Sequence, residues 1–271
     1  MKPIFNREGI IYLREENNNS YTIMLKSHPE LQQLKINTLT YEILQNSNGE
    51  NTIDDIVDSL LRKYKKVDRD TVLQDLLDNL HMLYRMGLIN WKKDIHPFVP
   101  MYNFSFDNYK LKILGAEEVK DIFSNNKYYV FNNSRLNPKI VFGKTSLEQN
   151  IFSFNHTYVK IMKDEEFIAC IGIGMIENNS NCFEVLRIGC SVNFTNYALM
   201  IATNPELINQ SINRIKKFTT IAQDKNIVKI VIDSSNSYII NALLNNGWVD
   251  SSIDNKFIDM NNLKKVFYIR V

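Results

Sequence analysis

Cysteine is scarce in this chain. Only Cys170, Cys182 and Cys190 occur in 271 residues, none of them in CxxC spacing, which argues against a disulfide framework and a cysteine zinc site. No metal is expected. No apolar run approaches the roughly 20 residues of a membrane span, and the N-terminus MKPIFNREG lacks the pattern of a signal peptide. The formal charge of +2 is too small to argue for nucleic acid or a membrane surface as partner. Glycine is limited to nine residues. The pair Gly172-x-Gly174 sits inside an apolar strand with no helix after it, so it reads as a bulge or close-packing site and not as a phosphate loop. These absences leave an ordinary soluble protein, expected in a reduced, cytoplasmic setting, with 44% hydrophobic and 23% charged residues and length for two domains.

What is present is clearest between Leu34 and Leu88. Short strand-like segments, Ile10 to Arg14, Tyr21 to Lys26 and Leu31 to Ile36, come first, and so few strands leave a sheet edge unpaired. A helix enters at Asn37/Thr38, carries Tyr41, Ile43 and Leu44, and stops at Asn48-Gly49. A second starts at the cap Thr52, with Asp54 and Asp55 in its first turn, and runs an apolar stripe through Ile53, Ile56, Val57, Leu60 and Leu61. Arg62 to Lys66 at its end fits dipole compensation. A third helix, from about Asp70, ends at Gly87. On it Val72, Leu76, Leu80 and Leu83 form one stripe, while Leu73, Leu77 and Tyr84 form another. Periodicity leaves open whether the second stripe faces the core or a groove. Asp70, Asp75 and Asp78 on this helix would repel phosphates, which disfavours DNA binding.

The pattern LxxxTxxIL (Leu34 to Leu44), then NGxxTIxxIV (Asn48 to Val57), then DxxTVxxDLxxxLxxLxxxGLI (Asp68 to Ile89) resembles the PqqD family, the small winged-helix-like RiPP recognition element. The resemblance implies a domain at 1–91 that does no chemistry. It would capture the leader segment of a ribosomally made precursor peptide as an added strand, beside Leu34, Lys35 and Ile36 and against Leu73, Leu77 and Tyr84.

The segment 92–101, with two prolines in WKKDIHPFVPM, reads as a linker, and 102–271 as a separate α/β unit. Tyr109 to Leu114 is expected as a strand and Ala116 to Phe123 as a helix, followed by an irregular stretch, Tyr128 to Ser146. Four apolar runs, Thr157 to Met162, Phe167 to Ile176, Phe183 to Val192 and Tyr197 to Thr203, predict an antiparallel meander. Next come a helix, Pro205 to Lys225, a buried-type strand, Ile227 to Asp233, a helix, Ser237 to Asn246, and closing strands, Lys256 to Met260 and Val266 to Val271. The fold class is therefore α+β / α/β: a winged-helix-like domain, then a mixed sheet with flanking helices.

The order of elements in this second region resembles the GNAT acyltransferase superfamily, most clearly in VKIVIDSSNSYIINALLNNGWVD, with Asn236 and Gly247-Trp248. LMIATNPEL resembles that family's fourth strand and INRIKKFTTIAQDKN its third helix. The resemblance implies acetyl- or acyl-CoA as co-substrate, held by Ile201, Ala202 and Thr203, by the turn at Asn209, Gln210 and Ser211, and by Asn236. That turn carries neither the glycines nor the arginine usual in the family, and Leu243 stands where many members have an acidic tyrosine. The nearest tyrosine, Tyr238, falls on another face and suits a wall of the site better than an acid. An ammonium nucleophile must lose a proton, for which Glu184, at a position the family often gives to a carboxylate, is the candidate base, with His156 and Cys190 behind it. The bland readings are a strand-surface charge beside Arg187, a loop histidine and a small buried hydrophobe.

Together the two resemblances imply a maturation enzyme that holds a precursor's leader and acylates an amine of the attached core peptide, with residues Asn125 to Ser146 shaping selectivity. The competing expectation is a non-catalytic scaffold that presents precursor peptide to another enzyme.

Overall fold

The structure is a computed structural model, described over residues 1–17, 19–26, 33–65, 67–92, 96–124, 127–153, 155–175, 182–192, 195–217, 226–251 and 264–270. The chain forms two compact units, Met1–Pro100 and Met101–Val271.

In the first unit β1 (Pro3–Phe5) precedes a three-stranded sheet of β2 (Ile10–Glu16), β3 (Ser20–Leu25) and β4 (Leu34–Asn37), in the spatial order β2-β3-β4. Three helices follow, α1 (Thr38–Asn46), α2 (Ile53–Lys63) and α3 (Arg69–Arg85), then β5 (Ile89–Trp91), which pairs antiparallel with β1. Local chemistry sets these boundaries. Asn37 caps α1 by accepting from Thr40 N, and Asp68 caps α3 by accepting from Thr71 N. Thr52 and Asp55 form a reciprocal capping box on α2. Gly49 (φ +79°) and Gly87 (φ +70°) take the left-handed conformation that reverses the chain after α1 and α3. The core collects Ile23, Leu25, Ile43, Leu44, Ile56, Val57, Leu76, Leu80 and Leu83, all buried.

The short α4 (Val99–Tyr102) precedes the second unit's elements. These are β6 (Asn103–Phe106), β7 (Tyr109–Ile113), α5 (Ala116–Ser124), β8 (Tyr128–Asn132), α6 (Pro138–Val141), α7 (Lys144–Phe152), β9 (His156–Lys163), β10 (Glu166–Gly174), β11 (Cys182–Ser191), α8 (Thr195–Ala202), α9 (Pro205–Ile215), β12 (Ile227–Asp233), α10 (Ser237–Asn245), β13 (Val249–Asp250) and β14 (Lys264–Arg270). They build a mixed sheet in the order β13-β14-β12-β11-β10-β9-β7-β6, with β8 attached to β11. Helices α8, α9 and α10 contribute to the large core that includes Val185, Ile188, Ala198, Leu199, Leu207, Ile208, Val228 and Ile239. A second core joins α5 and α7 to Tyr158 and Cys170.

Two expectations fail here. The run Tyr197–Thr203 lies on helix α8 and its end, so the meander has three strands, β9, β10 and β11. Ala198, Leu199 and Ala202 make one buried helical face, and alanine favours helix. The stretch Tyr128 to Ser146 is not irregular either, since it holds β8, α6 and the start of α7. The expected strand Lys256 to Met260 and the end of the helix expected to reach Lys225 lie outside the described residues. Among the described residues no helix is long and apolar enough to cross a membrane.

Candidate functional site

The first unit offers a peptide a strand edge and a half-buried stripe. Strand β4 pairs with β3 through Leu34 to Asn37, and its other edge carries no strand among the described residues. Leu34 is half-buried, Lys35 exposed and Ile36 buried. On α3 the stripe Val72, Leu76, Leu80 and Leu83 is core, whereas Leu73 and Leu77 are half-buried. Tyr84 belongs to that second stripe but is already engaged. Its hydroxyl lies 3.2 Å from His96 Nε2, and its ring is 4.5 Å from the His96 ring and 6.1 Å from Phe98. Of the second stripe, Tyr84 is thus packed against His96 and Phe98, while Leu73 and Leu77 are half-buried. Asp70, Asp75 and Asp78 are exposed, which keeps this face acidic.

In the second unit the place where an open α/β sheet admits a ligand is the crevice where neighbouring parallel strands part. Strands β11 and β12 pair in parallel only through Cys182–Glu184 and Ile227–Lys229. Beyond that point β12 continues along β14, and the freed edge of β11 is taken by β8, which pairs antiparallel with Arg187–Ser191. The turn after β8 ties both sides together. Asn133 N donates to Leu186 O at 2.9 Å and Ser134 N to Val231 O at 2.8 Å.

Glu184 sits beneath this tie, 2% exposed. Asn133, 1% exposed, donates its Nδ2 to Glu184 Oε2 and to Val185 O, both at 3.0 Å. Arg135 Nη1 donates to Glu184 Oε1 at 3.2 Å, and Lys229 Nζ stands 4.0 Å from the same oxygen. Arg187, its neighbour in sequence, does not pair with it. Both carboxylate oxygens are thus already used to fasten the β8 turn to β11, so the candidate base serves as a structural anchor in this conformation. Nothing in the pattern NNSRLNP had marked Asn133 or Arg135 for this.

The other candidates are placed as follows. Burial holds His156 down at about 4 and pushes the Cys190 thiol up to about 12, so both stay uncharged at neutral pH. Ile201 and Ala202 are helical, and Thr203 closes α8. Thr203 O accepts from the Trp248 indole at 2.8 Å, and Thr203 Oγ1 accepts from Asn246 Nδ2 at 2.7 Å. These backbone groups have no strand edge to offer. Asn209, Gln210 and Ser211 lie inside α9, where helical bonding consumes their N–H groups, and the buried Ser211 hydroxyl donates to Leu207 O. The N–H groups at the start of α9 are capped, since Asn204 accepts from Glu206 N and Leu207 N. Asn236 is the N-cap residue of α10, without a side-chain capping bond. Leu243, in the family's tyrosine position, is core. Tyr238 is exposed on a pocket of about 310 Å³ between α8 and α10, lined also by Asn196, Met200, Asn241, Ala242 and Asn245.

Of the residues named for the cofactor, Ile201, Ala202, Asn209, Gln210 and Ser211 thus lie within helices, Thr203 closes α8 and Asn236 caps α10, while the edge of β11 at Arg187–Ser191 is paired with β8.

Residues 28–89 match the family of coenzyme PQQ synthesis protein D (PqqD). This segment is a PqqD domain. No curated protein is detectably similar to the chain. Solved structures similar to it include the ribosomal-protein-S5-alanine acetyltransferase of Vibrio fischeri, at 12% identity over 62% of this chain and 96% of that one, with a TM-score of 0.40. Others are spermidine N-acetyltransferase of Vibrio cholerae in complex with CoA and spermine (14%, 61% and 96%, TM-score 0.39) and PaiA N-acetyltransferase of Thermoplasma acidophilum in complex with coenzyme A (13%, 59% and 99%, TM-score 0.37).

Proposed function

We propose that the chain is a maturation protein for a ribosomally synthesised peptide, in which the first unit holds the precursor's leader and the second acts on the attached core. The match of residues 28–89 to PqqD carries this reading, supported by an edge of β4 that carries no strand among the described residues and by the half-buried Leu73 and Leu77 on α3. A leader bound as an added strand gains main-chain hydrogen bonds with little regard for side chains. The tethered core then sits at an effective concentration that reaches the millimolar range for a short flexible link, so a weak site on the second unit suffices.

A peptide-recognition domain joined to an acetyltransferase-like unit suits peptide-related acyl transfer, in which acetyl- or acyl-CoA would modify a core amine with Glu184 as base. One specific observation favours the second reading, a non-catalytic unit that presents the peptide to a separate enzyme. The β11 edge is filled by β8, and Glu184 is committed to Asn133 and Arg135. Calorimetric titration of the full chain separates the readings. Presentation predicts heat on adding a precursor encoded beside this protein and none on adding acetyl or longer acyl-CoA. Saturable acyl-CoA binding would restore acyl transfer, and a precursor that does not bind would remove leader capture.

A further inference from the structure

The sheet face beneath α5 and α7 holds a cation without an ion-pair partner among the described residues. Arg187 on β11 has a buried Nε without a hydrogen-bond partner, and no ion pair joins its guanidinium to any carboxylate among the described residues. Its Cζ lies 4.3 Å from the ring centroid of Phe123 and 4.7 Å from that of Phe142. Two aromatic rings hold the group in place and compensate part of its lost hydration, but they supply no acceptor. Leaving a half-buried guanidinium without an anion is costly, and native proteins rarely do it without a reason.

The neighbours are unsatisfied as well. In strand register Tyr158 on β9 faces Gly172 on β10, which faces Arg187, which faces Asn132 on β8. Gly172 leaves room for the Tyr158 ring to lie over β10, since a Cβ there would stand 2.6 Å from Tyr158 Cε1. Gly189, two residues beyond Arg187, does the same for Phe123 at 2.9 Å. Tyr158 is 0% exposed and its hydroxyl has no partner, nor has Asn132 Oδ1. The described carboxylates nearest this face are each already paired, Glu184 with Asn133, Arg135 and Lys229, Glu118 on α5 with Lys112 and Glu148 on α7 with Lys120. Arg187 is therefore left without a carboxylate among the described residues, next to a buried phenolic hydroxyl that has no partner either.

We infer that Arg187, with the Tyr158 hydroxyl beside it, forms a binding site for a carboxylate. With two rings against the guanidinium, its in-plane N–H edge is what remains for a ligand, and a planar carboxylate matches that fork. The carboxylate can belong to a peptide C-terminus, to an acidic side chain or to a small free acid. The site does not depend on leader capture by the first unit.

The test uses the full chain labelled with ¹⁵N-arginine and follows the Arg187 Nε–H resonance, assigned by its loss in Arg187→Met. N-acetylglycine, N-acetylglutamate α-amide and acetate stand for the three sources, with N-acetylglycinamide as the uncharged control. At least one carboxylate should move the resonance saturably while the control does not, and the tightest binder names the source. Tyr158→Phe should weaken that binding about ten-fold. Calorimetric titration with the same carboxylate, which does not need the Arg187 resonance, should show binding to the parent chain and none to Arg187→Met, whose ligand-free melting temperature should be unchanged or higher because an unpaired charge has been removed. A resonance unmoved by every carboxylate, or moved equally by the amide, overturns the site. So does an Arg187→Met protein that melts lower and still binds.

Discussion

The two units treat an exposed strand edge in opposite ways. In the first, β4 ends a three-stranded sheet and leaves its outer backbone groups without a strand partner among the described residues. In the second, β11 parts from β12 after three residue pairs, and the chain itself supplies β8 to cover the edge, with Asn133 and Ser134 bonding to both sides of the gap. An open edge is a site for strand addition, whereas a covered one removes the groups a ligand would use. The contrast is the reason peptide capture is proposed for the first unit and a presenting role for the second.

The comparison can be broken most severely at Glu184. Replacing it by alanine should destabilise the second unit by about 3 kcal/mol, because Arg135, Lys229 and Asn133 lose their common acceptor. Urea unfolding, followed by a probe in that unit, checks this. An unchanged midpoint would mean that Glu184 is free for catalysis and not a fastener.

Acid should act on both units. Burial depresses His81 in the first and His156 in the second to about 4, below the ordinary 6.5. The unfolded chain then binds more protons between these values, so stability is complete above about pH 6.5 and falls as pH drops toward 4, by up to about 3 kcal/mol per histidine. Denaturation midpoints measured across this window should flatten for the second unit in His156→Gln and for the first in His81→Gln. A smaller effect sharpens the open edge. Leu77→Asp should leave the first unit folded and weaken precursor binding at least ten-fold, about 1.4 kcal/mol, whereas Tyr84→Phe should change affinity little because His96 already occupies its hydroxyl. Smallest is Thr52→Ala, which removes the capping box of α2 and should cost about 1 kcal/mol without altering binding.

The first unit was legible in the sequence because its boundaries are written locally. Asn37, Thr52 and Asp68 cap helices within three residues of themselves, and Gly49 and Gly87 sit where the backbone needs positive φ. The second unit was legible where strands are long, as in β9 to β12. It failed where partners are distant. Tyr128 to Asn132 gains its strand from β11, some sixty residues on, which no local pattern reveals. Tyr197 to Thr203 is an apolar run too short for periodicity to separate strand from buried helix, and its identity follows from Ala198, Leu199 and Ala202 packing on one face. Once α8 replaced that strand, Ile201 and Ala202, assigned to coenzyme A, fell inside a helix. Arg187 was seen as a charge accompanying Glu184, and only strand register shows it standing apart.

Hydrogen exchange of the full chain, with and without a precursor peptide, tests the account most directly. Amides on the outer edge of Leu34–Asn37 should exchange quickly alone and become protected on adding the peptide, while those joining β8 to β11 should exchange slowly in both states. Protection that appears along β8 and β11 and not along β4 would contradict it.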